Sequence, residues 1–254
     1  MKKKKEKKKI IIRVISILLP FLLIGIWELG CRLGYLNTSI LPYPSKILDT
    51  FVGRLMEGTL EKHIWDSFKR VIEGFAMGAG LGLILGVLIG LYKNLEDILN
   101  VFIGILRPIP PIAWIPVLIL GFGIGEWSKI AVIAIGSFWP VLLNTVDGLK
   151  ATNKDLVELA TVLEKNKKQI LLKIILPAAI PSIFTGFRLG VSRAWSCVVT
   201  AEMIAASSGV GYLIQYAREL SKPDLMFTGV AVIGIIGLVI DYAMMKLQKR
   251  VIYW

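Results

Sequence analysis

The chain has 254 residues, is 55% hydrophobic and carries a formal net charge of +12. Its mean hydropathy of +0.69 excludes an ordinary soluble domain. Much of the charge sits in the run from Lys2 to Lys9 and the rest flanks apolar stretches, whereas a nucleic-acid binder spreads its charge over a folded face interleaved with aromatics.

Residues 10–30 form the first apolar segment, after a lysine-rich tail at 1–9. The run is long for a signal-peptide core and no A-x-A site follows, so it reads as an uncleaved membrane helix. Glu28-Leu29-Gly30-Cys31 faintly resembles a lipoprotein cleavage box, but Glu28 stands where an apolar residue belongs. Residues 31–70 hold no spanning segment. LPYPS at 41–45 is a turn with a helix start at Ser45. Ile64, Trp65 and Phe68 then recur at helical spacing, as in an amphipathic helix at the membrane interface. His63, the one histidine, has no partner in sequence and reads as surface or structural.

A second span runs from Val71 to Tyr92. In it Gly74, Gly78, Gly82, Gly86 and Gly90 recur every fourth residue, a small-residue stripe that lets two helix backbones approach in lipid. Gly78-Ala79-Gly80 is not a nucleotide loop, because no strand precedes it. The third span, 98–120, is interrupted at Arg107-Pro108-Ile109-Pro110-Pro111 and again at Pro116. Prolines remove backbone donors, and broken helix at membrane depth survives only where protein or a wet cavity covers it. Pro110 and Pro111 are therefore candidate pathway residues, with a simple kinked or interfacial helix start as the other reading. The fourth span is 130–147.

The stretch 150–177 is polar enough for water. Leu156, Leu159, Ala160 and Leu163 make one helical face, Thr152 and Asp155 are spaced as a weak capping box, and Ile170, Leu171, Ile174 and Ile175 make a second apolar face against Lys167, Lys168 and Lys173. Pro177 ends that second helix or kinks it. The fifth span, 178–204, carries Arg188, Arg193 and Glu202, and the last is 225–245. Six spans put both termini on one face, and the Lys and Arg excess on that face makes it cytoplasmic, the 150–177 loop included. The fold class is thus an all-α polytopic membrane protein of about six transmembrane helices, with one membrane domain over 10–254.

No G-x-x-x-x-G-K-[ST] occurs, nor a metal cluster or a Ser/His/Asp set. Cys31 and Cys197 have neither metal nor disulfide spacing and read as inert. No catalytic residue, metal or cofactor is assigned to this chain.

Glu158, Leu159 and Ala160, followed by Ile174, Leu176 and Pro177, resemble the cytoplasmic "EAA" loop of binding-protein-dependent ABC importer permeases. RPIPPIAWIP, GFGIGE, and FRLGVSRAW through AEMIAASSGVGYLI resemble the branch of that family importing sulfonates, nitrate and taurine. The likeness runs from about Leu41 to Leu220. Two positions depart: Leu159 replaces the middle Ala, and Glu164 replaces a turn glycine. A left-handed Glu164 costs about 1–2 kcal/mol, so the turn is expected to move toward Asn166.

The resemblance implies a type I ABC importer permease in the cell's inner membrane. It implies an ATP-binding subunit that holds ATP-Mg and docks on the 150–177 loop, with Glu158 and Ala160 facing it. An extracytoplasmic substrate-binding protein would dock near 31–70 and 205–224, and a second, identical permease chain would complete the path. Arg193 would offer positive charge to a small anion on that path and Glu202 would help close the outer gate; the blander reading is that both bond to neighbouring helices or snorkel. At nine residues, about 13 Å along one helix, they are too far apart to pair. An ion-coupled secondary transporter would need midplane acids, for which only Glu202 and Asp241 come close. A membrane enzyme lacks a polar catalytic cluster.

Overall fold

A computed structural model describes residues 2–252, with the side chains of 2–14, Ile17 and Lys154 outside the description. Every element among the described residues is helical. In chain order they are α1 (Lys2–Arg32), α2 (Pro44–Met56), α3 (Thr59–Leu91), α4 (Lys93–Leu106), a 3-10 turn (Pro111–Trp114), α5 (Ile115–Phe122) and α6 (Glu126–Lys150). Then come α7 (Lys154–Val162), α8 (Lys167–Ile170), a π-type turn (Leu171–Ile175), α9 (Leu176–Ala205), α10 (Val210–Glu219) and α11 (Pro223–Val251). Among the described residues four stretches, Thr59–Leu91, Glu126–Lys150, Lys167–Ala205 and Pro223–Val251, are long and apolar enough to cross a membrane; a further pair, Lys93–Leu106 with Pro111–Phe122, is bent by 86°. The expected first span lies in α1, partly beyond the described side chains, as does the lysine tail.

The chain divides into two compact units, residues 1–61 with 213–231, and 62–212 with 232–254. In the first unit, Pro44 opens α2 with its fixed φ. Ser45, the expected helix start, falls in the first turn of α2. Its N–H and Oγ both donate to Glu28, at 3.0 and 2.9 Å, so a carboxylate meets the α2 N-terminus, where the helix dipole favours it. Trp27 packs on Phe227 with ring centroids 5.7 Å apart, and Thr50 donates to Asp224 at 3.0 Å.

The second unit is built around α6, which is largely buried. Gly74, Gly78, Gly82, Gly86 and Gly90 all face it, meeting Ile133, Ala134, Phe138, Thr145 and Leu149 in turn. A Cβ on Gly82 would lie 2.7 Å from the Phe138 carbonyl oxygen, so only hydrogen permits this approach, whereas one on Gly80 would meet nothing within 4 Å. The neighbouring side of α6 takes α9 through Ser182, Gly186, Gly190 and Ala194, also four apart; Gly186 abuts the Pro140 carbonyl and Gly190 that of Ser137. Val71, Ile133, Ala194, Trp195 and Val198 close the core, and α11 adds Ile233, Ile236 and Ile240.

Two expectations are corrected and one is met. Ile64, Trp65 and Phe68 do not form a separate interfacial helix; they are the first turns of α3, because nothing between Thr59 and Val71 breaks it. The third stretch is interrupted where expected: α4 ends at Leu106 and helix resumes at Pro111 after an 86° bend, since Pro108, Pro110 and Pro111 together leave no donors to continue α4. Pro177 does not end the loop's second helix. It sits in the first turn of α9, and the π-type turn just before it absorbs the missing N–H.

Candidate functional site

The bend at 107–111 forms one wall of a cavity of about 720 Å³ whose other walls are α6 and α9. Pro110 and Pro111 line it with Arg193, so three of the path candidates meet there. Extended backbone at Pro110 (φ −61°, ψ 141°) leads into the 3-10 turn begun by Pro111. Pro140, inside α6, and Asn144 face the same space; the Asn144 amide donates to the Pro140 carbonyl at 2.8 Å. Arg107 and Thr200 add polar groups to a wall that is otherwise largely apolar.

Glu202, the fourth path candidate, is not among the lining residues. It is 1% exposed and held inside the protein. Ser67 Oγ donates to it at 2.8 Å, Arg70 Nη1 at 2.8 Å and the Gly211 N–H at 2.9 Å. Arg70 also forks onto Glu126 at 2.7 and 3.1 Å and donates to the Ser208 carbonyl and hydroxyl at 2.8 and 3.0 Å. Lys129 Nζ joins Glu126 at 2.7 Å. The 206–209 loop closes on this cluster: Gly209, at φ +113°, lies where any side chain would strike the Glu202 carboxylate, and its N–H donates to His63 Nδ1 at 3.1 Å. His63 is therefore structural. Arg70 and Glu126 were missed in the sequence because they lie far from Glu202 along the chain; an arginine at the head of a long apolar helix was the available signal.

In the 150–177 loop, α7 and α8 fold as a helix–turn–helix. The N-cap is Asn153, whose side chain accepts from the Asp155 N–H at 2.8 Å. Thr152 does not cap; it is buried, with an unpartnered Oγ1. The turn stays at Glu164, which adopts φ +52°. Its neighbours make the paired bonds of a Schellman cap, Lys165 N–H to Ala160 O and Glu164 N–H to Thr161 O, both 3.0 Å. Asn166 is instead the N-cap of α8, in a reciprocal capping box with Gln169. Ala160 does not face outward. It is 5% exposed, beside Ile170 in the cleft between the two helices, while Leu159 (55%), Val162 (78%) and Leu163 (60%) stand out into solvent. Glu158 is exposed; Ile174 and Leu176 are half-buried, as is Pro177. A helical turn puts Ala160 on the face toward α8, and the exposed face is the neighbouring one.

Among the described residues no group of three or more His, Cys, Asp or Glu could hold a metal ion.

Close helix packing around α6, a partly polar cavity at a broken helix and an amphipathic loop outside the spans define a multi-pass helical transport protein. Residues 78–253 match the family described as binding-protein-dependent transport system inner membrane component. The chain belongs to that family, the permeases of ABC importers. It is 39% identical over 94% of its length to a Bacillus subtilis permease protein named for aliphatic sulfonate transport, covering 87% of that relative. It is 34% identical over 91% of its length to the taurine transport system permease protein of Escherichia coli, covering 86% of it. A solved structure of the methionine ABC transporter MetNI, inward facing, has the same fold, with a TM-score of 0.65 at 20% identity over 78% of this chain and 98% of that one.

Proposed function

We propose that this permease moves a small anionic, sulfonate-, nitrate- or taurine-like solute, delivered by an extracytoplasmic binding protein and driven by ATP-Mg hydrolysis on a separate subunit. The observation that carries the reading is the cavity where Pro110, Pro111 and Arg193 meet, because an arginine lining a space within the membrane needs water, a partner or a substrate. Both termini and the 150–177 loop face the cytoplasm, where the exposed Leu159, Val162 and Leu163 dock on the ATPase. A second copy of the chain supplies the other half of the path, and alternating access follows from motion of the loops. The ion-coupled alternative is not favoured, since its two candidate acids are engaged: Glu202 by Arg70, and Asp241 by a two-point bond to Arg188 at 2.8 and 3.0 Å.

The test is reconstitution with candidate ATPase and binding-protein partners, following uptake of sulfonates, taurine and nitrate. Accumulation that needs ATP hydrolysis and the binding protein, and drops with Arg193→Gln while assembly persists, supports the reading. Uptake driven by an ion gradient without ATP would refute it.

A further inference from the structure

Charged side chains within the four long apolar helices differ in how they are satisfied. Lys129 pairs with Glu126, Arg188 with Asp241 and Glu202 with Arg70. Arg193 and Asp147 have no ion-pair partner among the described residues, and both line the cavity at the 107–111 bend. Arg107, the C-cap of α4, is a third unpaired charge on its wall.

Packing fixes their relative depth. A Cβ on Gly136 would lie 3.7 Å from the Arg193 carbonyl, and one on Gly190 3.2 Å from that of Ser137, so Arg193 is level with Gly136 and Ser137. Glu96 pairs with Lys150, and Ile103 packs against the cluster of Ile89, Leu142 and Val146. α4 therefore runs antiparallel to α6, and its end brings Arg107 toward Trp139 and Pro140, which also line the cavity. The two arginines thus enter the same space from different helices at neighbouring depths. Asp147 lies eleven residues from Gly136, about 16 Å further along α6.

We propose that Arg107 and Arg193 together form an oxyanion-binding subsite inside the permease, so that the membrane subunit itself selects for negative charge. This rests on the importer reading above. Two unpaired guanidinium groups near one depth repel each other, and an anion between them relieves both; each offers planar, two-point donors suited to a sulfonate or nitrate group. The Ser196 and Thr200 hydroxyls donate to their own helix carbonyls at 3.2 and 3.4 Å, long bonds that a charged acceptor displaces. Asp147 makes the cavity one-ended: an anion is attracted at the arginine level and repelled from the other end.

The experiment measures equilibrium binding of radiolabelled methanesulfonate to the full-length permease in phosphatidylcholine nanodiscs, with dimethyl sulfone as a neutral isostere of similar shape. Saturable binding that dimethyl sulfone does not compete for is expected. Arg107→Gln and Arg193→Gln should each weaken it at least tenfold, and Arg107→Lys should restore part of the loss. Binding within twofold of wild type in both Gln variants, or equal competition by the sulfone, would overturn the subsite. So would displacement of methanesulfonate by phosphatidylglycerol in the nanodisc with no competition by nitrate, which would make the ligand a lipid headgroup. ATP-dependent uptake by the assembled transporter is read in parallel. If it persists when the subsite fails, the importer reading stands and only this inference falls.

Discussion

Arg70 Nη1 lies 2.8 Å from Glu202 Oε1, with the two side chains 7% and 0% exposed. Counting its bonds to Glu126 and Ser208, all five donors of this guanidinium have acceptors. One side chain therefore ties α3 to the start of α6, to the end of α9 and to the 206–209 loop. Arg70 is the cation paired with Glu202, so removing Arg70 leaves a buried carboxylate uncompensated, at about 3–5 kcal/mol, whereas Arg70 without Glu202 keeps Glu126. Arg70→Met is expected to lower the thermal unfolding midpoint of the detergent-solubilised protein strongly. The double change Arg70→Met with Glu202→Met should recover much of that loss. Equal midpoints for wild type and Arg70→Met would mean that the cluster contributes nothing to stability.

The glycine stripe makes a paired prediction. Gly82→Leu places a side chain against α6 backbone, at Phe138 O and Leu142 N, and backbone cannot step aside as a side-chain tip can. The variant should aggregate or fail to elute as a single species in size-exclusion chromatography. Gly80→Leu, pointing into open space, should behave as wild type. If both variants elute alike, α3 does not depend on that close approach.

At the loop turn, Glu164→Gly removes a left-handed strain of about 1–2 kcal/mol while adding unfolded-state freedom worth roughly 0.5–1 kcal/mol. The net is a small stabilisation, below about 1.5 kcal/mol. Hydrogen exchange of the Glu164 and Lys165 amides should slow in the variant. Faster exchange there would show that Glu164 gains something from its own side chain.

On the loop surface the outward residues and the packed one should separate. Leu159→Asp changes an exposed side chain and should leave the permease stable while reducing copurification of the ATP-binding subunit. Ala160→Trp forces a large group into the cleft between α7 and α8 and should disorder the loop itself, seen as new proteolytic cuts between 154 and 170. Full retention of the ATPase by Leu159→Asp would move the docking surface elsewhere.

How much of this was readable follows the range of the interactions. The long helices were legible because apolar runs and a four-residue glycine period are local signals, and the same period at Ser182, Gly186, Gly190 and Ala194 was equally available but overlooked. The bend at 107–111 was legible from prolines alone. The Arg70–Glu202 contact was not, because it joins residues 132 apart in the chain. In the loop, the period placed Ala160 on the apolar face, but which partner that face meets depends on where the turn sends α8. The cost of a left-handed glutamate points the turn toward Asn166, but the hydrogen bonds of the Schellman cap and the Asn166–Gln169 box offset that cost and hold it at Glu164.

The π-type turn before Pro177 has a mechanical consequence. Because it keeps the helix continuous, Lys167–Ala205 is a single 39-residue helix, with Arg193 about 39 Å from its loop end. A tilt of about 10° pivoting at the loop end sweeps that point through nearly 7 Å, more than one helical pitch of ~5.4 Å. On the proposed mechanism, displacement at the loop would reach the cavity wall along one continuous helix, without passing through a non-helical linker.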